Sequence, residues 1–257
     1  MSYDSIAELY DAAFLWESEP AAILPVYRAL GAPTRVLEVA CGPARLLATL
    51  VAQGAVGVGI DISQPMLNLA QRRLAAVQGA AFELIRADAR EFSLREPCGG
   101  AFCAVGSFGH LAGPNDAGRH LQAIRSALVP GATYAIRLPL QEIRDTPARG
   151  PNAHSAWQFQ HAGEHFAYSW FGRGIDGRSA REIQVSRIEC LTGPRAGGVI
   201  ETDHEMRIWG WPSWCALLSA ARFTQIAALD PTAGFAALPL DESLHAHPVA
   251  WHLIAPA

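Results

Sequence analysis

The chain has 257 residues, half of them apolar and 17% charged, enough for one large α/β domain or a domain carrying a substantial insertion. Its formal net charge is −4 and all 20 basic residues are arginine, so a Schiff-base lysine and a phosphate-loop lysine are both excluded. No apolar run reaches the about 18 residues of a membrane-spanning helix, and a mildly acidic chain without basic clusters is a poor partner for nucleic acid. The start, "MSYDSIAELYD", is acidic and shows no secretory signal. Cys41, Cys98, Cys103, Cys190 and Cys215 are scattered and never form Cys-x-x-Cys, which points to reduced thiols in the cytoplasm.

Residues 4–16 predict an amphipathic helix with Ile6, Leu9, Tyr10, Ala13 and Phe14 on one face, and 20–31 a second helix stopped by Gly31. The apolar run from Val36 to Ala40 suits a strand buried on both faces of a parallel sheet. "ARLLATLVAQG" is a helix closed by Gly54, "VGVGID" a strand ending at Asp61, and Ser63 the N-cap of the helix "QPMLNLAQRRLAAVQG". "AFELIRAD" is a third strand, ending at Asp88, and "GAFCAVGSF" a fourth. The helix "DAGRHLQAIRSALVPG" has a Pro-Gly stop and is followed by a fifth strand, "ATYAIRLPL". Strands alternating with helices predict an α/β, doubly wound, mostly parallel sheet.

Residues 141–164 show little periodicity and read as a connection. "HFAYSWF", "REIQVSRIECL" and "VIETDHEMRIW" then follow as three β runs with no helix between them, an inserted antiparallel meander. A helix, "PSWCALLSAARF", and the strands "TQIAALD" and "HPVAWHLIA" return to the sheet.

In such a sheet, ligands bind outside the carboxyl ends of the strands, where strand order reverses. Three consecutive strands end there in Glu38, Asp61 and Asp88. A dinucleotide site wants Gly-x-Gly-x-x-Gly after the first strand, but the positions hold Ala40, Gly42 and Arg45, and an acid before the loop repels a pyrophosphate. A phosphate-free nucleoside with a cationic group near Glu38 fits better, and S-adenosylmethionine answers that description.

"RVLEVACGPARL" resembles the first motif of class I S-adenosylmethionine-dependent methyltransferases, close to the small-molecule and glycine N-methyltransferase-like type. "GVGIDISQPMLNLAQRRL", "IRADAREF", "AVGSFGHL" and "IRSALVPGATYAIRLPL" resemble the segments that follow, in register over about residues 34–140. The resemblance implies a seven-stranded Rossmann-like sheet. Its organisation would be an N-terminal helical cap (1–33), a cofactor-binding core (34–140), an antiparallel acceptor lid (141–210) and the end of the sheet (211–257). It also implies a cofactor set: Tyr10 from the cap; Glu38, Ala40, Gly42 and Arg45 around the first loop; Asp61, with Ile62 and Met66, at the ribose; Asp88 and Ala89 at the adenine; and Gly106 and Ser107 after the fourth strand. Pro43-Ala44 replaces the usual Thr-Gly, and Cys103 stands where an Asp is common. Arg28 and Arg45 both remain open as partners of the methionine carboxylate.

Phe166, Tyr168 and Trp170 alternate along one strand and share a face, either packing the meander or walling an acceptor. On the second reading Trp16, Phe108, Trp157, Tyr168 and Trp170 contact the acceptor, and His204 is the candidate general base. "HAGEH" (161–165) spells His-x-x-Glu-His but adjoins β-like sequence, so it reads as a solvated loop and no metal is expected. "GRGIDG" (172–177), between two β runs, reads as a hairpin turn. The absence of Asn/Asp-Pro-Pro-Tyr at the fourth strand speaks against methylation of nucleic-acid bases. The expectation is transfer to nitrogen or oxygen of a small aromatic or heterocyclic metabolite by a monomer or homodimer. A cyclase or decarboxylase on the same fold and a non-catalytic adenosyl-ligand binder are the alternatives.

Overall fold

The computed structural model describes residues 3–14, 19–142 and 152–257, in two compact units. One comprises Ser18–Glu142 with Trp209–Ala257, the other Met1–Glu17 with Ile143–Ile208.

The first unit is built on β1 (Arg35–Val39), β2 (Val56–Asp61), β3 (Ala81–Arg86), β4 (Cys98–Cys103) and β5 (Leu128–Arg137), five parallel strands in the order β5-β4-β1-β2-β3. Their alternate side chains feed two cores, one on each face of the sheet. Leu37, Val39, Val58, Ile60, Tyr134 and Ile136 pack on one side with α5 (Pro114–Ala127) and α6 (Trp211–Ala221). Val36, Phe102 and Ala135 pack on the other with α2 (Glu19–Ala29), α3 (Arg45–Ala52) and α4 (Gln64–Ala75). The predicted doubly wound sheet is therefore present. It continues through antiparallel β12 (Trp251–Pro256), β10 (Phe223–Asp230) and an eighth strand, the two-residue β11 (Ala236–Ala237), which the sequence pattern did not signal. The helix expected to run to Pro130-Gly131 ends at Ala127, and β5 starts at Leu128, because Cys98 offers a pairing partner there.

Strand β2 alternates glycine with apolar residues for a reason that the packing makes plain. A Cβ on Gly57 would lie 2.6 Å from Val51 Cγ2, and one on Gly59 2.9 Å from Cys41 Sγ. The bare backbone lets α3 and the β1–α3 loop approach the sheet closely.

On the opposite face a polar chain crosses the core. Trp214 Nε1 donates to Gln225 Oε1 (2.7 Å), Gln225 Nε2 donates to His252 Nδ1 (3.1 Å), and His252 Nε2 donates to the Leu138 carbonyl (3.0 Å). Burial pushes the His252 pKa down to about 4, so the ring stays neutral and accepts at Nδ1. Gln225→Leu strands the indole N–H and that ring nitrogen together. Urea denaturation at neutral pH is expected to show a loss of about 2–4 kcal/mol; a loss under about 0.5 kcal/mol, the range of a neutral surface change, contradicts the network.

The second unit holds α1 (Ala7–Ala13), preceded by a 3₁₀ turn (Tyr3–Ile6), and a four-stranded antiparallel sheet of β6 (Asn152–His161), β7 (Glu164–Asp176), β8 (Arg181–Cys190) and β9 (Val199–Arg207). Ile6, Leu9, Ala13 and Phe14 close onto Phe159, Phe166, Tyr168, Ile188 and Cys190. Two expectations need correction. The meander has four strands, not three, since 152–161 of the supposed connection pairs with β7 throughout. "GRGIDG" is not the turn: Gly172–Asp176 belongs to β7, where the register shifts between Gly172 and Ile175, and the turn follows at 177–180. "HAGEH" forms a two-residue hairpin, with Ala162 (φ 50°) and Gly163 (φ 80°) both left-handed.

Candidate cofactor site

The carboxyl ends of β1, β2, β3 and β4 lie side by side, with Glu38 opposite Gly59 and Phe102, and Asp61 opposite Arg86. Between β1 and β4 the strand order reverses, so the site predicted by topology is the loop leaving β1.

That loop is bent tightly. Ala40 (φ 53°), Gly42 (φ 51°) and Ala44 (φ 56°) are all left-handed, a conformation that costs about 1–2 kcal/mol for alanine. Two carboxylates hold the bend. Asp61 Oδ2 accepts from the Gly42 N–H and Oδ1 from the Ser63 N–H, each at 2.8 Å. Glu38 Oε2 accepts from the Leu47 N–H (3.1 Å) in the first turn of α3, whose N-cap Ala44 offers no side-chain acceptor. The acid at the end of a buried strand thus caps the next helix from a neighbouring element. Arg73 of α4 donates to the Pro43 carbonyl and fastens the loop from outside.

Glu38 is 4% exposed. Desolvation pushes its pKa up to about 8, against smaller downward pulls from the Leu47 N–H and the Arg45 charge, while Asp61 adds a further upward push. A buried carboxyl in this state is best served by a cation arriving from solvent. A diphosphate would meet two acids. Above the loop a Cβ built on Gly42 touches nothing within 4 Å, so the backbone is open to a ligand. Two large apolar side chains flank the site in the open, Ile62 (61% exposed) after Asp61 and Val105 (41%) after β4. Val105 is left-handed (φ 54°), an outlier for a β-branched residue, and Gly106 follows at φ 71°. Carboxylates for hydroxyls and a cation, with apolar faces for a flat ring, fit S-adenosylmethionine.

The remaining expected contacts divide. Asp88 accepts from the Arg90 N–H (2.8 Å) and from the Arg90 guanidinium, which holds its carboxyl below the usual range. Ala89, Gly106 and Ser107 are half-buried at the same edge. Met66 is buried; its N–H bonds Ser63 Oγ (3.3 Å), confirming Ser63 as the α4 N-cap. Phe108 is 1% exposed and packs edge-on against His120 and Trp214 in the core. Arg45 is half-buried at the start of α3, beside the loop, whereas Arg28 ends α2, which leads to the amino end of β1.

Tyr10, Trp157, Tyr168, Trp170 and His204 belong to the other unit. Trp157 stacks on Tyr168 (4.6 Å) and donates to the Ala13 carbonyl (2.6 Å); Tyr10 lies 4.6 Å from Phe14; His204 is buried. Trp16 lies outside the described residues. Sequence reasoning missed Arg73 and Val105, which carried no signal, and His120, which did: a histidine on the apolar stripe of Ala117, Leu121 and Ile124.

Among the described residues no group of three or more His, Cys, Asp or Glu is placed to hold a metal, and no helix is long and apolar enough to cross a membrane.

The model of a methyltransferase domain matches residues 36–131. No curated protein matches the chain in sequence. Among solved structures it is similar to the CcbJ methyltransferase from Streptomyces caelestis (TM-score 0.75, 17% identity, covering 99% of this chain and 97% of that one). It is similar also to the sugar N-methyltransferase KedS8 from Streptoalloteichus sp. (0.74, 16%, covering 100% and 93%). A third likeness is to CalS10 with bound S-adenosylmethionine, an amino pentose methyltransferase from Micromonospora echinaspora (0.70, 16%, covering 97% of each). The chain thus carries a match to a methyltransferase domain over 36–131 and shares its fold, from end to end, with S-adenosylmethionine-dependent methyltransferases of known structure.

Proposed function

We propose that the enzyme methylates an amine nitrogen of a small, polar, hydrogen-bonding metabolite. The observation that carries this reading is the chemistry of one face of the meander. Paired neighbours place Glu182, Gln184, Ser186, Thr202 and His204 together on that face, and Tyr168 Oη is 2.9 Å from Ser186 Oγ. Glu182, Ser186, Thr202 and His204 are buried. Three of the aromatic groups that suggested a flat acceptor are used in packing instead, Tyr168 and Phe166 against α1 and Phe108 in the sheet core. The amine is favoured by two of the relatives, described as a sugar N-methyltransferase and an amino pentose methyltransferase.

When bound, S-adenosylmethionine supplies a methyl carbon on a positively charged sulfur. Asp61 and the Gly42 backbone would hold its ribose, Glu38 would face its cationic end, Ile62 and Val105 would flank its adenine, and Asp88 and Ala89 would meet the adenine edge. The protein's contribution is alignment, which is worth about 7–11 kcal/mol in ideal cases. An amine nucleophile must also arrive without its extra proton. His110 ends a 3₁₀ turn (Ser107–His110) after β4, and desolvation pushes its pKa below the ordinary value, which favours the neutral ring. It is the proton acceptor in this reading, in place of the buried His204.

Methyl-labelled cofactor incubated with matched panels of small amines, amino sugars and phenols is expected to label amine nitrogen. His110→Asn should slow turnover by about 10²-fold. Label found only on phenolic oxygen, or left in the donor across both panels, overturns the proposal.

A further inference from the structure

His120 lies in the middle of α5, 1% exposed, far from any solvent role. Its two ring nitrogens are both engaged: Nδ1 is 2.7 Å from the Ala89 carbonyl oxygen, and Nε2 is 2.8 Å from Tyr134 Oη. A carbonyl only accepts, so Nδ1 carries the hydrogen. Nε2 must then accept, and the Tyr134 hydroxyl donates to it. Tyr134 is fully buried and interacts in turn with Cys103 of β4, which also meets the Phe108 backbone. A one-way run of donors thus leads from Tyr134 through His120 to Ala89, with Cys103, the departure from the family pattern, beside its start.

What that chain holds is a single peptide unit. The carbonyl of the Ala89–Arg90 peptide receives His120 Nδ1–H, and its N–H donates to Asp88 Oδ1 at 2.8 Å. Held at both ends, the peptide cannot rotate, and the Asp88 carboxylate is fixed with it. The same imidazole stands edge-on to Phe108, with ring centres 5.6 Å apart, and Phe108 follows Gly106 and Ser107. One buried side chain therefore ties together the loops after β3 and after β4.

We infer that His120, fixed by Tyr134, is a positioning residue for the adenosyl donor: it sets the Ala89–Arg90 peptide and the Phe108 turn between which the adenine is received. The inference rests on the reading of Asp88 and Ala89 as adenine contacts. It adds the residue that orients them, from a position that never meets the ligand. A histidine in a helix core offers little for packing that leucine would not offer at lower desolvation cost.

Amides that imitate one ring nitrogen at a time separate orientation from mere stability. The amide nitrogen of His120→Asn falls near Nδ1 and retains the bond to Ala89. The amide oxygen of His120→Gln reaches toward the Nε2 position, accepts from Tyr134 and retains that side only. Calorimetric titration of the folded proteins with S-adenosylhomocysteine is expected to leave Asn within about threefold of wild type and to weaken Gln by about tenfold, the worth of one buried hydrogen bond. The cofactor KM should rise in the Gln variant by the same factor, with kcat at saturating cofactor little changed. Equal affinities for Asn and Gln, or a Gln variant that matches wild type, overturn the inference even if both are less stable. Asp61→Ala run alongside tells the two levels apart. If wild type binds, Asp61→Ala does not, and Asn and Gln are alike, only the role of His120 fails. If wild type fails to bind the ligand, or Asp61→Ala binds as well as wild type, the cofactor site itself fails, and the inference with it.

Discussion

Asp61→Ala is expected to weaken S-adenosylhomocysteine binding by at least about a hundredfold, equivalent to about 2.7 kcal/mol. The carboxylate serves two purposes through the same atoms. Its oxygens accept from Gly42 and Ser63, drawing the β1–α3 loop and the start of α4 toward the end of β2. A carboxylate has about four lone-pair sites in all, enough to accept from backbone N–H groups and from a vicinal pair of hydroxyls together. Alanine removes two charge-assisted bonds to the backbone, each worth about 1.5–3 kcal/mol, and every bond to the ligand. Asp61→Asn sharpens the experiment. Its amide keeps one acceptor but turns a donor toward one of the two N–H groups, so the loop loosens while the volume is preserved. Both variants should bind poorly by calorimetry, with alanine the worse. Wild-type affinity in Asp61→Ala would show that the ligand lies elsewhere.

The second large effect is one of pH. An acid whose pKa is higher in the folded than in the unfolded chain binds its proton more tightly when native. Its contribution is complete below the unfolded value of 4.5 and is lost as pH rises through about 8. Glu38 is such an acid. The stability of the ligand-free wild type, measured relative to Glu38→Gln, should therefore fall between pH 5 and pH 9, by an amount of the order of 4 kcal/mol. The glutamine amide oxygen still accepts from Leu47, so the comparison isolates the charge. Denaturant unfolding of both proteins across that range reads the difference directly, and a flat difference refutes the buried proton. Ligand binding provides a second readout. A cation placed beside Glu38 near pH 7 expels the proton, so the binding enthalpy of wild type should vary with the ionisation heat of the buffer, and that of Glu38→Gln should not.

Much of the sheet was legible because buried parallel strands announce themselves as short apolar runs, and because Ser63 is spaced to cap the helix after Asp61. Strand β6 was not. "NAHSAWQFQH" reads as irregular because it is an edge strand, paired only to β7. The start of β5 was masked by Pro130-Gly131, local stop signals overridden by pairing with β4. The glycines of "GRGIDG" made it resemble a turn, whereas β7 absorbs Gly174, at φ 136°, as an irregularity.

By itself, the order of residues determined the class of fold, the edge of the sheet where chemistry occurs, and a donor with a cation and no phosphate. These follow from periodicity and from which residue types end successive strands, and both are local properties. Tertiary structure alone decided what each group does there. Glu38 meets the N–H of Leu47 nine residues on, and His120 reaches Ala89 and Tyr134 across 31 and 14 residues, distances over which no periodicity survives. Alternation showed that Phe166, Tyr168 and Trp170 share a face, but only the packing of α1 showed that the first two are buried as core. A side chain's type limits its possible partners; the folded chain chooses among them, because burial decides which unmet hydrogen bonds and charges carry a cost.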